Sequence, residues 1–284
     1  MTEDAWWARH AREVDEVLGG GDPASIKRLY VNLGSFLEDD YGADVEGVPL
    51  LSLPETGPVV LRLMQGVQGT LLDAGCGPNP AVAIALAGEP GRRVVALDIG
   101  VGMVRLAVAR AGRAGVDLLG VVGDVEALPF RAGAFIGGVC DDTIEHLPDD
   151  DRGARELARV LASGGQMVVA TPNRHGLGVI RHKLVDRLRG RHRPASAYYA
   201  AESHLREYTW QGLERVLQPH LVVRERASVG WSGGLSRRLA TRLVSVPGPR
   251  WFSRMLVLVV ESRRGLVATD AGRAQDAGTS LAPS

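Results

Sequence analysis

Three residues with reactive side chains lie close together at Asp142, Glu145 and His146. Spacings of three and four residues put them on one face if the segment is helical. His146 is then the favoured general base, with Asp142 beside it, because an imidazole exchanges protons near neutral pH. The same D-x-x-E-H set could instead bind a divalent cation such as magnesium through carboxylate and imidazole ligands. The plain alternative has Asp142 capping a helix and His146 packing or bonding to backbone; all three stay open. Upstream, acids recur after short apolar runs: Asp73, Asp98, Asp124, then Asp141 beside Asp142. Such a row suits a ligand with hydroxyls, an amine and a positive charge better than one rich in phosphate. Gly75 and Gly77, flanking Cys76, would let the backbone turn sharply and approach a ligand, and a helix after them would present free N–H groups. Cys140 reads as a small core residue rather than a nucleophile.

The elements that must position these residues follow from the hydrophobic pattern. Apolar runs at 70–74, 93–97, 116–122, 134–140 and 166–171 are strand-sized. Helical spacing falls between them at 78–86, 103–114 and 150–162, the last ended by Ser163-Gly164-Gly165. Parallel strands need crossovers and helices fill them, so the alternation predicts an α/β fold with a doubly wound, mostly parallel sheet. Its ligand would sit beyond the carboxyl ends of the strands, where the acids fall. A helix at 210–217, capped by Thr209, and strands at 221–229 and 255–261 complete seven strands. Residues 1–66 read as an N-terminal helical extension. One amphipathic helix there carries Trp6 and Trp7, a second spans Ile26–Leu37, and a third leads into the core at 58–67. The main domain would run over 67–264, with an insertion at 173–208 and a small, polar, disordered tail at 265–284.

Composition sets the class. The chain has 284 residues, 45% hydrophobic and 23% charged, with a formal net charge of zero. That allows a large core and gives no overall excess of positive charge to hold nucleic acid, so none is expected as a partner. No apolar run reaches the length of a membrane span. Two cysteines suggest neither a disulfide scaffold nor a zinc site. A cytoplasmic location is the simplest expectation, and a homodimer stays open.

The segments LLDAGCGPNP, VVALDIGVGMV, VVGDVEALPF, CDDTIEHL and RELARVLASGGQMVVATPN occur in the order and spacing of the motifs of class I S-adenosylmethionine-dependent methyltransferases. Over about residues 67–175 the chain resembles the broad group that includes the ubiquinone and menaquinone biosynthesis methyltransferases. The resemblance implies a Rossmann-like class I methyltransferase fold and S-adenosyl-L-methionine as cofactor. By the same resemblance, Asp73 and Ala74 with the turn Gly75, Cys76 and Gly77 would hold the methionine end. Asp98 would accept hydrogen bonds from the ribose hydroxyls, while Ile99 and Met103 would pack on the nucleoside. Asp124 would accept from the adenine amino group and the Val125 N–H would meet the ring. Cys140 and Asp141 would line the region near the sulfonium. Two departures are visible: the turn reads GCGPN where the family usually has a third glycine, with Pro78 also removing an N–H that Asn79 could replace in closing the turn, and Ile136 stands where the family usually has Asp.

The insertion after Pro172 carries an apolar stripe (Val179, Ile180, Leu184, Val185, Leu188) among Arg181, Lys183, Arg187, Arg189, Arg191 and Arg193. A solvated helix docked on the core explains it plainly; a lid for an anionic or lipid-linked small-molecule acceptor, or contact with a membrane surface, is the functional alternative. His182, His192, His204, Tyr198, Tyr199 and Tyr208 also fall here. The expected activity is methyl transfer to an oxygen of a sugar, quinone-like ring or other secondary metabolite. Its rivals are a cofactor-binding regulatory or assembly module without transfer, and a same-fold enzyme that uses the cofactor for other chemistry.

Overall fold

The computed structural model describes residues 22–41, 53–176, 180, 184–185, 187–189, 204–230 and 253–263; side chains of 33–41 are left aside. Seven strands form one sheet: β1 Gly69–Ala74, β2 Arg92–Asp98, β3 Leu119–Val122, β4 Phe135–Asp141, β5 Leu161–Pro172, β6 Leu221–Val229 and β7 Met255–Ser262. Their order is β3-β2-β1-β4-β5-β7-β6. All neighbours are parallel except β7, which runs antiparallel between β5 and β6. The helices are α1 Pro23–Tyr41, α2 Gly57–Leu63, α3 Ala81–Ala87, α4 Val101–Arg113, α5 Asp150–Val160 and α6 Trp210–Leu217.

Strands buried on both faces need apolar residues at nearly every position. Leu71 to Ala74, Val94 to Leu97 and Met167 to Ala170 supply them. Because side chains alternate, Leu72, Val95, Met167 and Val169 face α5 and α6, while Leu71, Val94, Ala96 and Val168 face α2, α3 and α4. This is the doubly wound arrangement that the alternation of strands and helices predicts. Asp149 caps α5 by accepting from the Arg152 N–H at 2.9 Å, and Thr209 caps α6 from the Gly212 N–H at 3.1 Å. The chain leaves β1 toward β2 and β3, then returns to β4 on the other side. The strand-end crevice therefore opens between β1 and β4.

Three local expectations change. β5 begins at Leu161 rather than 166, because α5 runs straight into the strand and Phe135 pairs with Leu161 before a register shift. β3 is four residues long, starting at Leu119. The segment bearing Asp142, Glu145 and His146 is no regular helix: only Ile144–His146 form a single 3-10 turn. The helix expected around Trp6 and Trp7, the tail from 265 and most of the basic insertion lie outside the described residues. Within the insertion, Leu184 and Leu188 are exposed. Among the described residues no helix is long and apolar enough to cross a membrane.

Candidate functional site

A crevice of about 230 Å3 lies at the carboxyl edge of the sheet. The turn after β1 forms its floor. Gly75 and Cys76 donate backbone N–H groups to the Leu97 carbonyl at 2.8 and 2.9 Å, tying the turn to β2. Gly75 (φ +82°) has no room for a side chain, since a Cβ there would meet Thr143 Oγ1 at 2.3 Å. Gly77 (φ +54°), which also lines the crevice, differs: a Cβ there would meet nothing within 4 Å. Past these glycines, buried Arg110 donates from its guanidinium to the Pro78 carbonyl and ties the turn to α4.

Asp98 ends β2 and lines the crevice. Its Oδ2 accepts from the Gly77 N–H at 3.0 Å and its Oδ1 from the Gly100 N–H at 2.9 Å. Each oxygen keeps a lone pair for a further donor. Burial raises its pKa, partly offset by those N–H groups. Ile99, Met103, Asp124 and Val125 line the same side.

Asp73, Ala74, Cys76 and Cys140 are buried and Asp141 is half-buried, and none of the five lines the crevice. Cys140, fully buried, packs in the core with Leu72 and Ile144. Burial, reinforced by Asp141 and Asp98, pushes the Asp73 carboxyl up to about 7. Asp141 is pushed up to about 6 by burial, against a hydrogen bond to its Oδ2 from the Thr56 hydroxyl. Its Oδ1 is buried with no protein partner. Carboxylates gathered in low dielectric without a facing cation resist ionisation, and the same arrangement attracts a cationic ligand.

At the end of β4, Asp142 adopts a left-handed backbone (φ +54°) and donates its N–H to the Ala170 carbonyl at 3.0 Å. This kink and the 3-10 turn separate the three residues that a helix would have aligned. Asp142 and His146 reach the crevice, whereas Glu145 points inward and accepts from the Thr171 hydroxyl at 2.9 Å. Burial, then the Asp142 charge and a hydrogen bond with it, hold the Glu145 carboxyl well above the ordinary range. His204 joins this corner from the insertion: its Nε2 lies 4.0 Å from Glu145 Oε1, and its ring is 4.8 Å from that of His146. One ligand atom each from Glu145, His146 and His204 lie within 4.8 Å of one another. Arg206 donates to the Leu147 and Pro148 carbonyls, fixing the loop behind His146.

Sequence reasoning missed the wall contributed by α1. Ile26, Lys27 and Tyr30 line the crevice, and the Tyr30 hydroxyl is 2.6 Å from His146 Nδ1. Thr56, Thr171 and His204 were also missed as partners of these acids. Only the placing of Tyr30 four residues after Ile26 and three after Lys27 hinted at a shared face, and nothing in it named the surface it would meet.

Comparison with known proteins agrees with this architecture. Residues 72–169 match the family described as "Methyltransferase domain". The chain is 31% identical over 154 residues to a ubiquinone biosynthesis O-methyltransferase of Xanthomonas axonopodis, covering 52% of this chain and 64% of that protein. It is 33% identical over 147 residues to an uncharacterized protein of Mycobacterium tuberculosis, covering 51% and 49%. The chain thus spans about half to two thirds of these relatives' lengths. Among solved structures, the [4+2]-cyclase SpnF superposes with a TM-score of 0.57 at 16% identity, over 84% of this chain and 96% of that one. A geranyl diphosphate methyltransferase bound to sinefungin superposes with a TM-score of 0.53 at 16% identity, over 72% and 77%. At such identities the structural likeness speaks for the fold. Residues 72–169 are thus similar to the methyltransferase-domain family, and the seven-stranded fold is that of the class I S-adenosylmethionine-dependent methyltransferases.

Proposed function

We propose that this protein transfers a methyl group from S-adenosylmethionine to an oxygen of a small-molecule acceptor, such as a sugar, a quinone-like ring or another secondary metabolite. The observation that carries the reading is the set of strand-end acids around one crevice, with Asp141 Oδ1 buried and lacking a protein partner. These residues fit a cationic nucleoside. Asp98 would accept from the ribose hydroxyls and Asp124 from the base amino group, with Ile99 and Met103 against the nucleoside. Asp73 and Asp141 would favour the positive methionine end. When bound, the cofactor supplies the electrophilic methyl group. The chain's own part is to hold the acceptor in line, exclude water with Leu147 and Pro148, and take the hydroxyl proton onto His146. Tyr30 holds the His146 ring at Nδ1, and Asp142 adds negative charge beside it. The extension at 1–66 and the insertion at 173–208 would complete the acceptor side, through α1 and His204 respectively.

Titration calorimetry with S-adenosylhomocysteine and a labelled-methyl assay on candidate acceptors test this. His146→Ala should bind the cofactor normally and turn over at least about 100-fold more slowly. Binding without any labelled product from a broad metabolite extract would favour the non-transferring module.

The close Glu145, His146 and His204 ligand atoms favour a second reading of the same corner. A divalent cation such as magnesium held there would lower the acceptor hydroxyl's pKa. Chelation should then abolish turnover and magnesium or manganese restore it, leaving cofactor binding intact.

A further inference from the structure

Helix α1 meets the crevice through Ile26, Lys27 and Tyr30, the last lying one turn beyond the other two. Lys27 Nζ lies 2.6 Å from Asp124 Oδ2 and 2.7 Å from Glu126 Oε2, so one ammonium ties the helix to the loop after β3. Both carboxylates are already set by backbone groups. Asp124 Oδ1 accepts from the Glu126 N–H at 2.8 Å, and Glu126 Oε1 accepts from the Asp149 N–H at 2.9 Å. Lys27 and Asp124 keep 28% and 27% side-chain exposure, but Glu126 keeps only 5%. Without the ammonium, two like charges would stand side by side at the crevice rim, one of them buried. Leu29, on the same helix, is buried and anchors α1 independently of that contact.

We propose that Lys27 is a positioning residue of the cofactor crevice: it holds the Asp124 carboxylate in place and ties α1 shut over the nucleoside end, so that cofactor departure requires release of this helix. The inference rests on the cofactor reading above. Lysine suits the role because its compact ammonium serves two carboxylates at once, while its flexible stem lets the helix leave and return.

The test uses the full chain and S-adenosylhomocysteine, comparing wild type, Lys27→Met and Lys27→Arg by surface plasmon resonance and by hydrogen exchange read by mass spectrometry. Ligand dissociation should be about tenfold faster in Lys27→Met, the loss expected for charged hydrogen bonds at a partly exposed site, and largely restored in Lys27→Arg. Ligand should slow exchange of the 23–41 amides in wild type and fail to do so in Lys27→Met. A folded Lys27→Met with unchanged dissociation and unchanged protection overturns the proposal. Should that variant not fold, wild type still decides: bound ligand that leaves exchange over 23–41 unaltered overturns it equally. Wild type that binds no S-adenosylhomocysteine would sink the cofactor reading itself, a separate outcome from bound ligand with an indifferent helix.

Discussion

Alanine at Gly75 and at Gly77 should produce opposite phenotypes although the two lie two residues apart in one turn. Both have positive φ, +82° and +54°, where a Cβ costs about 1–2 kcal/mol. At Gly75 the added carbon would also lie 2.3, 2.5 and 2.9 Å from three side-chain atoms of Thr143. Contacts that short force the neighbour to move, an overpacking cost of about 1–3 kcal/mol. Gly75→Ala should therefore lose about 2–5 kcal/mol, and a Tm fall of at least about 4 °C is expected for a domain of this size. At Gly77 no atom lies within 4 Å of the added carbon, so only the backbone cost applies. Gly77 lines the crevice and its N–H holds Asp98 at 3.0 Å, so the residue that carries the added carbon belongs to the ligand surface. Gly77→Ala should thus stay folded, lose about 1–2 kcal/mol of stability, and bind S-adenosylhomocysteine at least about tenfold more weakly. Thermal melts followed by titration calorimetry read both effects. Wild-type affinity in Gly77→Ala, or a wild-type Tm in Gly75→Ala, would refute the assignment of crevice and packing sides to this turn.

Asp98→Asn would place an amide donor against the N–H of Gly77 or Gly100 and should weaken S-adenosylhomocysteine at least about tenfold; unchanged calorimetric affinity would remove Asp98 from the site. Asp73 and Asp141 titrate at about 7 and about 6 in the folded chain, against about 3.9 unfolded. The folded state binds the extra protons, so their stabilising contribution is complete below about pH 4 and is lost as pH rises through about 7. The Tm of the ligand-free protein should fall between pH 5 and 8, and the Tm gain from S-adenosylmethionine should grow over that interval; a ligand-free Tm that rises instead would contradict these environments. Thr209→Ala should cost about 1 kcal/mol by removing the α6 cap, seen as a lower urea midpoint with cofactor affinity unchanged.

The alternation of strands and helices, the turn at Gly75 to Gly77 and the acids ending β1, β2 and β4 were legible in the chain because they are local. Continuous apolar runs declare buried strands, and strand-end acids declare themselves by position. The same local rules failed at Asp142 to His146. There a left-handed residue and one 3-10 turn send Glu145 inward to Thr171 and His146 outward to Tyr30. Periodicity carries no information about which residue will accept a positive φ. They also failed at β5, whose glycines read as a helix stop but sit inside the strand.

By itself the sequence determined the parallel sheet, the place of the crevice along it and the acidic character of its edge, since each depends on neighbours within a few residues. Only the tertiary structure decided that Lys27 and Tyr30 form a wall, that His204 reaches Glu145 and His146, and that Asp73 and Asp141 do not line the crevice. Those contacts join residues up to 116 positions apart. Chain closure over such distances is governed by how whole faces pack, a property that no local spacing encodes.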